Sequence, residues 1–174
     1  MNLKTLAGIN VDTGITQTTM TEAIAAGADV YVSLGGVPKV FTSGTNTFAD
    51  RIYNALWLKL AIQVAGFNYL AQTNSKIPQT EQGMDGLKNA YRKVMAQAVY
   101  NGFLAPGAWT GSDTFGVLEA FYRNITDIGY YVYSLPIAQQ STTDRGARKA
   151  PLTQIAGKEA GAIHSTGIII NINA

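Results

Sequence analysis

The chain contains no cysteine. Disulfides and thiolate metal sites are therefore excluded, and the fold has to be held by packing alone. Charge is also scarce: Asp, Glu, Lys and Arg make up 14% of the 174 residues, against about a quarter in ordinary globular chains, while apolar residues reach 47%. So low a charge leads us to expect that part of the surface is covered by partners. The net charge is +2 and no dense Lys/Arg run is present, which argues against nucleic acid as a partner. No apolar run reaches the ~20 residues of a membrane span. The longest candidate, Ala55–Leu70, is broken by Lys59, Gln63, Gly66 and Asn68. MNLKTLAGIN lacks the apolar core of a secretory signal, so no membrane association is expected and a reducing cytoplasm fits. The length suits one domain, or one and a half.

Residues that carry chemistry are equally thin. Histidine occurs once, as His164. With Ser165 and a distant Asp it sketches a hydrolytic triad, but a lone histidine fixes no geometry. One His and scattered carboxylates give no metal-ligand spacing. The 18 glycines form neither G-x-x-x-x-G-K-[ST] nor G-x-G-x-x-G, so they read as turns rather than a phosphate cradle. Asp50 and Asp85 read as charges at helix starts. The expectation is a protein without cofactor, metal or enzymatic activity. The densest charge is Arg145-Gly-Ala-Arg148-Lys149. It reads as a solvated turn or as a docking patch for carboxylates on a neighbour, with even weight on each.

Periodicity places the elements. LKTLAGINV reads as a short strand, and TQTTMTEA as a helix over Thr19–Ala26, capped by Thr18 or Thr19 and stopped at Gly27. Asp29–Leu34 reads as a strand ending at a glycine pair, with VPKVF as its hairpin partner, pushed to an edge by Pro38. The strongest helix begins near Thr47. Phe48, Ile52, Leu56, Leu60 and Val64 form one stripe, which Trp57, Leu58, Ile62 and Tyr69 widen, so burial on most sides is expected. After a polar break at Pro78, a second helix carries Met84, Leu87, Tyr91, Val94, Met95 and Ala98 at three-and-four spacing and stops at Gly102. FLAPGAWTGSDTFG is loop, and 116–126 a short helix or turn. Ile128–Pro136 is a strand by its aromatic and β-branched content. AQQSTTDRGARKAP is a loop, and two strands about a Gly-rich bend finish the chain. These elements give an α+β class: an antiparallel or mixed sheet packed with two main helices.

The last residues, STGIIININA, pose a separate question. On a strand Ile168, Ile170 and Ile172 face one way and Ile169, Asn171 and Asn173 the other. Burying one isoleucine contributes ~1.5–3 kcal/mol, and an uncovered row of them is an aggregation template. The strand either completes its own sheet or adds to a neighbour's, where main-chain bonds give affinity and alternate side chains give specificity.

Several stretches together resemble the tail sheath proteins of contractile bacteriophages. The markers are TFADRIYNALWL (Thr47–Leu58), TNSKIPQTEQGM (Thr73–Met84), AVYNGFLAPGAW (Ala98–Trp109), DRGARKAP (Asp144–Pro151), AGAIH (Ala160–His164) and the closing strand. Sheath proteins are usually longer, so the likeness is to their C-terminal portion. It implies an α+β domain over 1–165 and a C-terminal arm over 166–174, with Thr166, Ile168, Ile169, Ile170 and Ile172 adding to the sheet around Ile128–Pro136 and Leu152–Ala156 of another copy. It further implies charged contacts between copies through Arg145, Arg148, Lys149 and Lys158. The implied partners are other copies of the chain, the tail tube protein, and baseplate and terminator proteins, in a virion tail assembled in the host cytoplasm. The rival readings are a tube or terminator subunit, a plain binding module, and a small hydrolase using His164.

Overall fold

The computed structural model describes residues 2–44, 48–163 and 166–167. The fold is α+β, as expected, but its four strands form two separate antiparallel pairs rather than one sheet, and its helices number five among the described residues. The chain forms two compact units, one built on the stretch up to Tyr53 together with that beginning at Ala162, the other on Asn54–Gly161.

In the first unit, α1 (Gln17–Ala25) starts at Thr16, whose hydroxyl accepts from the Thr19 amide at 3.2 Å. The cap thus lies two or three residues earlier than the Thr-rich run implied. Gly27 follows the helix at φ 85°, a left-handed stop. Strands β1 (Val30–Leu34) and β2 (Val37–Phe41) pair antiparallel, with Ser33 opposite Pro38. They are joined by Gly35 and Gly36 at φ 58° and 82°, the two left-handed residues that a tight hairpin turn demands. LKTLAGINV forms no strand of its own. Two backbone bonds tie it to β2, Leu3 N to Val40 O at 2.8 Å and Val40 N to Lys4 O at 2.9 Å, and the Thr5 hydroxyl donates to Pro38 O at 2.8 Å. Turns around Leu3 and Gly8, both at positive φ, interrupt any longer ladder.

The second unit is built on a helical hairpin, α2 (Ala49–Gln72) and α3 (Glu81–Tyr100). A tyrosine of each helix covers a glycine of the other. Tyr91 of α3 lies over Gly66, and Tyr69 of α2 over Gly86, so close that an added Cβ at either glycine would strike the ring. Burial holds the Tyr91 phenol above its ordinary pKa. The start of α3 is capped by Thr80, and Glu81 Oε1 accepts from the Ile137 amide at 2.7 Å, joining parts of the chain far apart in sequence.

Helix α2 departs from expectation. Its Leu56, Leu60 and Val64 stripe, expected to be buried, is exposed, as are Ile52 and Phe48 beside it. Trp57, Leu58, Ile62 and Tyr69 pack inward instead. The helix is apolar on two faces, and the face containing Gly66 is the one that meshes with α3.

Helix α4 (Leu118–Ile128) ends at Gly129, φ 84°, and β3 (Tyr130–Ser134) begins at the next residue. Ile128 therefore closes a helix and does not open the strand expected there. β3 pairs antiparallel with β4 (Thr153–Gly157), Val132 opposite Ile155. Between them, a 3-10 turn (Ile137–Gln139) and α5 (Thr142–Gly146) occupy what was expected to be loop. The alternation of β3 sorts its side chains. Val132 and Tyr130 join Met95, Ala98 and Leu104 beside α3, with Ile155 of β4. Tyr131 and Tyr133 join Phe121 and Ile125 of α4, with Ala156 of β4. Phe121 is the hub of this second cluster, edge-on to Trp109, Phe115 and Tyr131 at centroid distances of 5.3–5.5 Å. The second of the two expected C-terminal strands, with Ile168, Ile169, Ile170 and Ile172, lies outside the described residues, as does His164.

Candidate assembly surfaces

Three surfaces of the second unit stand out. The first is the edge of the β3–β4 pair. Both faces of this two-stranded sheet are covered, by the α2–α3 hairpin on one side and α4 on the other. An isolated pair of strands is marginal in water, so this double cover is what makes it a stable platform. Neither strand has a second neighbour among the described residues. Among these residues each therefore presents one row of amides and carbonyls to which another strand can add. Leu135 and Leu152 flank the open end at 44% and 74% exposure. Beyond β4 the chain stays pinned for a few residues: Lys158 N donates to Gly129 O at 2.8 Å, Ala105 N to Lys158 O at 3.0 Å, and Ala160 N to Phe103 O at 2.9 Å. The compact unit closes at Gly161, and Ile163, just past it, is 93% exposed.

The second surface is the basic turn. Ser141 Oγ accepts from the Asp144 amide at 3.1 Å and donates to its carboxylate at 2.9 Å, a reciprocal cap for α5. That hydroxyl, and then the Lys149 ammonium at 3.2 Å, hold the Asp144 carboxyl below its ordinary pKa. Lys149 thus already has a partner within the chain. Its carbonyl also accepts from the side-chain amides of Gln79 and Gln140, at 3.0 and 2.8 Å. Arg148 sits at φ 55°, a left-handed backbone that costs a non-glycine residue on the order of 1 kcal/mol. A small cavity of about 100 Å³ opens beside it, floored by Tyr69, Ile77, Met84 and Leu87. Arg145 lies in α5. Lys158 lies elsewhere, its stem packed against Gly107, so the structure brings together three of the four cations singled out in the sequence.

The third surface is the outer face of α2, which the sequence reading placed in the core. Leu56, Leu60, Val64, Phe67 and Leu70 are 46–69% exposed along it.

Among the described residues no group of three or more His, Cys, Asp or Glu lies close enough to hold a metal ion, and no helix is long and apolar enough to cross a membrane. A comparison with curated proteins found no match. The family model for the E217 tail sheath protein gp31-like C-terminal domain matches residues 49–172. That span holds the α2–α3 hairpin, α4 and the β3–β4 platform. The chain belongs to this family of bacteriophage tail sheath proteins and has the structural role of a sheath component.

Proposed function

We propose that the chain assembles with other copies by strand addition, Thr166–Ala174 of one copy pairing with an open edge of β3–β4 in the next. The observation that carries this reading is a sheet covered on both faces whose strands have no further neighbour among the described residues. A strand offered to it gains main-chain bonds without disturbing the core. Ile163, just past the last residue of the second unit, is 93% exposed, as suits the root of an arm. Arg145, Arg148 and Lys158 then meet carboxylates of neighbouring copies, and Lys149 joins them by exchanging Asp144 for an outside partner.

Head-to-tail contacts of this kind build rings or helices, not closed dimers. The assembly surrounds a tail tube, between baseplate and terminator proteins, and forms in the host cytoplasm. Contraction repacks bistable interfaces while the arms persist as tethers. No bond is made or broken, so no enzymatic activity is assigned.

The test compares the intact chain with one ending at Ser165 and with Ile170→Asp, by sedimentation velocity and electron microscopy. Ordered high-mass assemblies from the intact chain alone are the expected outcome. Equal assembly by all three would remove the arm from the mechanism. Loss of the far-ultraviolet circular dichroism signal on truncation would make the strand internal to its own fold.

A further inference from the structure

The outer face of α2 has a pattern beyond its exposure. Leu56, Leu60, Phe67 and Leu70 follow the alternating three-and-four spacing that keeps an apolar seam in line when two helices pair, with Val64 beside it. The ridge is interrupted once in line, at Gln63, which is exposed. Gln63 lies midway between Leu56 and Leu70, seven residues from each. A single polar residue at the centre of such a seam destabilises burial against a plain apolar surface, because its amide would lose water without a partner. Against a second copy of the same helix, the amide finds another amide, which offers both donors and an acceptor.

We infer that the α2 ridge is a self-pairing surface, and that two copies of the chain associate through it antiparallel, about a two-fold axis at Gln63. Leu56 of one copy then meets the partner's Leu70, and the two Gln63 side chains face each other. Five side chains at 46–69% exposure present on the order of 600 Å² per copy. The pair buries about 1,200 Å² in all, the lower end of what a stable specific interface needs. A concentration-dependent dimer is therefore expected rather than a permanent one. A two-fold contact has no place in a polar stack of head-to-tail subunits. The pair belongs to the free subunit, covering the ridge before assembly. It does not depend on the arm.

The absence of cysteine makes the test direct. Gln63→Cys in the full chain, treated with a mild oxidant or a short bis-maleimide, is expected to give a covalent dimer. Lys93→Cys, on the exposed side of α3, is expected to give none. Adding Leu60→Glu to Gln63→Cys should abolish the cross-link and weaken dimerisation about tenfold or more by sedimentation. An unchanged thermal melt would show that the fold is intact. Ile170→Asp, directed at the arm, should leave the cross-link in place, so the two readings fail separately. Equal cross-linking at positions 63 and 93, a cross-link that survives Leu60→Glu, or a strict monomer would each overturn the self-pairing surface.

Discussion

At the residue scale, the fold rests most heavily on Phe121. It is fully buried, and it touches both the loop aromatics and β3. Phe121→Ala is expected to cost ~3–5 kcal/mol, read as a fall in denaturant midpoint, through the lost transfer energy and the cavity left behind. A second prediction concerns Asp144. Its folded pKa is depressed, by Ser141 first and Lys149 second. The resulting stabilisation is present above the ordinary carboxylate value and is lost as pH falls through the folded one. Ser141→Ala should return the Asp144 carboxyl toward its ordinary value in a carbon-detected NMR titration. A titration unmoved by this change would mean that Lys149 alone sets it. Neither feature could be read with certainty from sequence. Phe121 lies in a segment read as helix or turn, and the Ser141–Asp144 cap was hidden inside a polar stretch read as loop.

At the scale of elements, the sequence served well wherever period and punctuation agreed. The glycine pair of the β1–β2 turn, the inward positions of α3 and the strand nature of β3 all followed from local pattern. The existence of α2 was equally plain, yet its orientation was not. Two apolar faces compete on that helix, and hydrophobicity alone cannot choose between them. The choice falls to shape, through Gly66 and Tyr69 against Tyr91 and Gly86. This yields a paired prediction. Trp57→Ala should lower stability by roughly 2 kcal/mol or more, whereas Leu60→Ala should stay within about 0.5 kcal/mol by thermal or denaturant unfolding. Reversed magnitudes would mean that the stripe expected from sequence is the packed one after all. The candidate surfaces were legible to the same uneven degree. The β3–β4 region and the basic turn stand out in the sequence, but the ridge reads there as core, because exposure is a tertiary property that periodicity does not carry.

At the scale of the whole molecule, one link has mechanical consequences. Helix α4 passes into β3 through Gly129 alone, and a Cβ there would collide with the backbone of Ala105. The joint is therefore short and tightly seated. The other strand of the platform is reached from β3 only through residues 135–152, which include a 3-10 turn and a five-residue helix. Tension applied along β3 passes to α4 and the aromatic cluster with no intervening loop. β4 is tied back to the same joint, since the Lys158 amide just past it donates to Gly129 O. A pull on either strand of the platform therefore converges on Gly129.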